Sequence, residues 1–149
     1  MEVSKKVSTF AGEKKEKENH GERRLARKWL EQVDEDISAA ECMYGGGHWL
    51  YVGFMCHQAV EKLLKALWTA TREDDAPYVH DHWRLLRGLG LIENLTEEQR
   101  EFVELIKPLY IAARYPEHKR KVATMLNDEA CKSIIENTKN FKQWILQKF

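Results

Sequence analysis

Apolar residues recur at intervals of three and four over most of this chain, and the recurrence divides it into four long helical stretches. From Gly21 the first stretch puts Leu25, Trp29, Val33, Ile37, Ala40 and Tyr44 on one side and Glu31, Asp34, Glu35 and Glu41 on the other. It stops at Gly45-Gly46-Gly47, where backbone freedom suits a reversal. The second stretch, from about His48 to Thr71, is the one the others are expected to surround. Here Cys56, Ala59, Val60, Leu63, Ala66 and Leu67 share a broad apolar face, with Gln58, Glu61, Lys62 and Lys65 opposite. Phe54 and Trp68 lie one turn beyond the two ends of that polar row. Large aromatics in those positions predict a second contact surface, to be covered by another subunit, a nucleotide base or a neighbouring element of the same chain.

Residues 72 to 79, with Asp74, Asp75 and Pro77, predict a loop. A short helix then starts behind Asp81 as its cap and is stopped by Gly88 and Gly90. Thr96-Glu97-Glu98-Gln99 is a capping box whose acids suit the helix dipole. It opens a third long helix on Phe102, Ile106, Leu109 and Ala113, widened by Val103 and Tyr110. Pro108 predicts a bend there, and Pro116 ends the helix because the residue before a proline avoids the α region. Asn127 caps the last helix, which carries Ala130, Ile134, Phe141 and Ile145 with Trp144 alongside. The fold class expected is all-α: an antiparallel up-and-down four-helix bundle with an additional short helix over residues 21–149. Residues 1–20, rich in Lys and Glu and poor in apolar side chains, are expected to form a mobile charged tail or a loosely attached helix.

Charge changes the picture by what it excludes. Lys+Arg and Asp+Glu both number 24, so no overall field draws the protein to nucleic acid or to a membrane, and any such attraction is local. No apolar run approaches the ~18 residues of a membrane span, and the N-terminus lacks the apolar region of a signal peptide. Cys42, Cys56 and Cys131 are odd in number, contain no Cys-x-x-Cys and sit beside apolar residues, which predicts reduced core thiols in a cytoplasmic protein.

The most basic segment outside the first twenty residues is Ala113-Arg114-Tyr115-Pro116-Glu117-His118-Lys119-Arg120-Lys121. Four cations against one acid, beside a tyrosine that can stack, form a cluster able to hold a phosphate. Arg114 could steady charge on a phosphoryl oxygen and His118 could move a proton, the two parts of a metal-free ribonuclease; a solvated basic loop accounts for the same residues. His80 and His82 resemble half of a metal site, but no third ligand follows at a suitable spacing, so no metal is expected. Nucleophile-elbow, zinc-protease and dinucleotide motifs are absent from the sequence.

Three blocks taken together resemble one family. They are Phe54-x-x-His57-Gln58-Ala59-Val60-Glu61-Lys62-x-Leu64-Lys65-Ala66, then His80-Asp81, then Tyr110-x-x-Ala113-Arg114-Tyr115-Pro116. Their order and spacing are similar to those of the HEPN domain (higher eukaryotes and prokaryotes nucleotide-binding), in its Arg-Tyr-Pro form, over roughly residues 24 to 147. The resemblance implies a helical bundle that forms homodimers and is paired with a minimal nucleotidyltransferase protein in a two-component or toxin–antitoxin system. It also implies, for many members, a metal-independent ribonuclease with an Arg followed by a His after four to six intervening residues. Arg114 and His118 have only three residues between them, which departs from that spacing.

The reading that follows is a nucleotide- or RNA-phosphate-binding protein using Arg114, Tyr115, His118 and Lys119, with Gln58, Lys62 and Lys65 contributed by the second helix. Phe54, Gln58, Glu61 and Trp68 are assigned to a dimer or partner surface. Two alternatives stand beside it: a ribonuclease with Arg114 and His118 as catalytic residues, and a non-catalytic helical module that binds protein. Nucleotide is the one small ligand expected, and no cofactor.

Overall fold

The computed structural model describes residues 2–149, apart from the side chains of residues 2–11, 15 and 18–20. Seven α-helices and one 3-10 turn are present among them, and no strand. In chain order these are α1 (Glu2–Gly45), α2 (Trp49–Thr71), α3 (His82–Gly88), a 3-10 turn (Ile92–Asn94), α4 (Glu97–Ile106), α5 (Leu109–Ala112), α6 (Pro116–Ala123) and α7 (Asp128–Leu146). Helical backbone therefore begins at Glu2 rather than Gly21. Most side chains of the charged segment 1–20 lie outside the described residues.

A tight reversal, with Gly47 at φ +74° where only glycine is unstrained, folds α2 back along α1. Lys62 of α2 meets Asp36 of α1 in an ion contact of 2.8 Å. Along α1 the apolar stripe reaches the core at Ala26, Val33, Ile37 and Ala40, while Leu25, expected at its head, is exposed. α7 returns antiparallel to α1, tied to it by Lys142 with Asp34 and by Lys139 with Glu41. It runs in the same direction as α2, its first turn lying where Cys131 Sγ faces the Trp49 carbonyl. Val52, Leu63 and Leu64 of α2 pack in one core with Leu85, Phe102, Ile134 and Phe141 from α3, α4 and α7. Burial pushes the Cys56 thiol up to about 12 and Cys131 to about 11, so both are inert packing groups, while Cys42, expected in the core with them, lies on the exposed side of α1.

Two helix boundaries differ from expectation. Pro108 breaks the predicted third helix instead of bending it: α4 ends at Ile106, α5 restarts at Leu109, and Pro108 itself is the N-cap. The break resets the phase, so Ala112 is buried where a continuous helix would have buried Ala113. The basic segment, expected as a loop, folds into α6. Tyr115 is extended (φ −119°, ψ 119°) as the residue before a proline must be, and Pro116 occupies the first helical position, where its missing N–H costs nothing. Val122 and Leu126 bury the apolar side of this segment and leave its cations outside.

Candidate functional site

α2 is buried on two sides, and the second side is polar. Glu61 and Lys65, expected to face a solvent or partner surface, are 5% and 8% exposed and covered by the chain itself. The cover is the segment leading into α3 together with α5. Lys65 Nζ lies 3.2 Å from Glu61 Oε2, and Glu61 Oε1 accepts the Nδ1–H of His80 at 2.7 Å. Buried ionised groups persist when each is paired in this way. Trp68 is covered in part. A Cβ on Gly88 of α3 would come within 2.3 Å of its ring, and Arg72 lies over the same indole at 5.8 Å. Of the residues assigned to a dimer or partner surface, Phe54, Gln58 and Trp68 keep partial exposure while Glu61 does not.

Four rings stand in a row between α2 and these covering segments. His82 and His57 have centroids 4.0 Å apart, His57 and Tyr110 4.8 Å, and Tyr110 and His80 5.3 Å. His82 Nε2–H donates to the His57 carbonyl at 3.0 Å, which fixes its tautomer and leaves Nδ1 buried without a partner. His57 Nδ1 is buried and likewise has no partner among the described residues. Desolvation, reinforced by the neighbouring imidazoles, lowers His57 to about 2. Desolvation also lowers His82, to about 4, against the opposing pull of its backbone bond and of Glu61. Both inner histidines are therefore neutral packing groups. Among the described residues no group of three or more metal-ligating side chains converges.

His80 is the outer member. Its side chain is 49% exposed and lines an open groove of about 700 Å³, where Tyr110 and Lys107 also stand. Two carboxylates reach the same groove, each held at one oxygen by Trp83. Asp81 Oδ1 caps the Trp83 backbone N–H at 3.0 Å, and Glu104 Oε1 accepts its indole N–H at 2.6 Å. The sequence marked His80, Asp81 and Tyr110 as a metal-pair candidate, a helix cap and a core residue, and as parts of a motif, but not as one site; the signal that could have joined them to Glu61 is the buried acid's need for a second donor.

One helical turn past Tyr110, Arg114 rests over the Phe54 ring, 5.8 Å from its centroid. Gly53 makes this approach close, since a Cβ there would meet Leu109 at 2.8 Å. Tyr115 is 57% exposed, and His118 and Lys119 are exposed on the first turns of α6. No hydrogen bond joins Arg114 to His118 among the described residues. Of the seven residues assigned to phosphate binding, Arg114, Tyr115, His118 and Lys119 share this corner. Lys62 is turned to α1 and Lys65 is locked on Glu61.

The family model of the HEPN domain matches residues 26–148. The chain belongs to the HEPN family. A solved structure with the same fold is that of TT1696 from Thermus thermophilus. It is 23% identical, with a TM-score of 0.70, and the match covers 83% of this chain and 98% of that one. No curated protein matches the chain. In this HEPN domain the three sequence blocks meet at one place. The first supplies Phe54, His57 and Glu61 from α2, the second His80, and the third Tyr110 and Arg114, each touching the first. No described helix of the HEPN chain is long and apolar enough to cross a membrane.

Proposed function

We propose that this HEPN domain binds a nucleotide or an RNA phosphate at the corner where α5 gives way to α6, with Arg114 as the principal anion contact and Tyr115, His118 and Lys119 around it. The observation that carries this reading is the environment of Arg114. Its guanidinium is laid on the Phe54 ring and has no carboxylate partner among the described residues. An arginine held by one face on an aromatic ring keeps its planar fork of N–H donors for an incoming oxyanion. Lys62 and Lys65 already neutralise Asp36 and Glu61, so the charge available to a phosphate comes from the α6 side. The exposed Tyr115 ring offers a face to a sugar or base. Family membership supports two further parts of the reading, self-association and pairing with a minimal nucleotidyltransferase in a two-component or toxin–antitoxin system.

The test is a titration of labelled single-stranded RNA and of a labelled nucleoside triphosphate, each over a series of salt concentrations. Arg114→Ala is expected to weaken binding about tenfold and to lower the salt slope by about 1 for whichever ligand binds. Equal affinities and equal slopes for wild type and variant with both ligands would remove the reading.

A further inference from the structure

The groove beside Tyr110 has a donor–acceptor character that the phosphate corner lacks. Glu61 Oε2 faces the Lys65 ammonium and Oε1 accepts from His80, which presents Nδ1–H to it. In the tautomer with its proton on Nδ1, His80 offers a lone pair on Nε2, which makes no hydrogen bond among the described residues. Asp81 and Glu104 each have one oxygen committed to Trp83 and a second oxygen with no hydrogen-bond partner among the described residues. Three acceptors thus border one groove, each anchored through its other atom to the fold. Val79, Pro108 and Ile111 supply apolar wall between them, and the volume of about 700 Å³ falls in the range of small-molecule sites. The acceptors are the groups fixed to the fold, while Lys107, on a flexible stem, and the Tyr110 hydroxyl are the donors on the same lining. The combination matches a flat heterocycle that carries an amine beside an unprotonated ring nitrogen.

From these features we infer that the groove is a nucleobase site selective for an amino edge, that of adenine or cytosine, with His80 Nε2, Asp81 and Glu104 accepting from the base. The inference rests on the phosphate reading above, because Arg114 follows Tyr110 by four residues, in the turn just past the end of α5. A nucleoside monophosphate reaches from one to the other, with its base in the acceptor-lined groove and its phosphate on the guanidinium. The base is thereby assigned to the groove and not to Tyr115. Hypoxanthine and uracil carry an oxo group where adenine and cytosine carry the amine, and that oxygen would face carboxylate lone pairs. An oxo ligand gives these anchored acceptors no donor in return, which weakens its binding relative to the amine.

The experiment is calorimetric titration of the full chain with adenosine, inosine, cytidine and uridine monophosphates and with ribose 5-phosphate, repeated for His80→Ala, Tyr115→Ala and Arg114→Ala. Adenosine or cytidine monophosphate is expected to bind at least about tenfold more tightly than its oxo counterpart. His80→Ala should erase that preference while leaving ribose 5-phosphate binding unchanged, and Tyr115→Ala should leave the preference intact. Circular dichroism of the variants confirms that each is folded before its affinity is compared. Equal affinity for amino and oxo nucleotides, with ribose 5-phosphate binding lost in Arg114→Ala, would overturn the base site and leave the phosphate corner standing. A base preference retained in His80→Ala would overturn the assignment of the groove. No binding of any of the five ligands would overturn both.

Discussion

Glu61 grips His80 from inside the fold: Oε1 accepts the imidazole Nδ1–H at 2.7 Å while Oε2 faces the Lys65 ammonium at 3.2 Å. The two partners of this acid are unequal, since Lys65 is buried with it and His80 is half in solvent. Removing the acid strands a buried cation and an imidazole donor. Glu61→Ala is expected to cost about 3 kcal/mol or more in urea denaturation. Glu61→Ala combined with Lys65→Met should recover most of that loss, because the stranded charge goes with it. If the double variant were as unstable as the single one, the loss would lie in packing and not in charge.

The stack of His82, His57 and Tyr110 sets the response to acid. Both histidines are lowered, His57 to about 2 and His82 to about 4, so below the ordinary histidine range near 6.5 the unfolded chain binds protons that the folded chain refuses. Their contribution to stability is full above that value. It is lost as pH falls from about 6.5 toward 4, by up to about 1.4 kcal/mol per pH unit for each residue. Unfolding midpoints in urea should fall between pH 7 and pH 5, and the His57→Phe variant should show a shallower fall. A midpoint independent of pH over that interval would show that neither imidazole is buried in its neutral form.

Gly88 and the Trp68 indole occupy adjoining space, and a methyl group on Gly88 would sit 2.3 Å from Trp68 Cζ3. The ring is boxed in by α3 on one side and Arg72 on the other. Gly88→Ala should therefore destabilise by about 1–3 kcal/mol and alter tryptophan fluorescence. Trp68→Leu in the same chain is expected to relieve the clash. Unchanged stability in Gly88→Ala would mean that Trp68 is free to leave its slot.

Much of the fold was legible because caps and periodicity are local. Thr96 and Gln99 form both bonds of the predicted capping box, and Asp81 and Asn127 cap the helices expected of them. The interruptions were less legible. Pro108 and Pro116 mark their own positions in the sequence, yet whether a proline bends a helix, splits it or starts another depends on what the next turn can bury. Leu109 and Ala112 reward a restart after Pro108, and Val122 and Leu126 reward one after Pro116.

The polar side of α2 was the main misplacement. Gln58, Glu61, Lys62 and Lys65 share a helical face by angle, but the structure divides them, giving Lys62 to α1 and burying Glu61 and Lys65 beneath His80. Angular position cannot tell an outward polar face from an inward one whose charges cancel. Phe54 and Trp68 at its ends were the available clue, because both lie against this chain's own groups, Arg114 and Gly88. Arg114, Tyr115, His118 and Lys119 were found together because they are consecutive or nearly so. The His80 groove was not, since its walls come from segments more than twenty residues apart, Val79 to Asp81 and Glu104 to Ile111.

The phosphorus NMR signal of adenosine monophosphate, followed as protein is added, tests the role of Arg114 most directly. The resonance is expected to shift saturably with the wild-type chain and to stay near its free position with Arg114→Ala at the same protein concentrations. An equal shift with both proteins would contradict the phosphate-binding corner, as would no shift with the wild type at millimolar nucleotide.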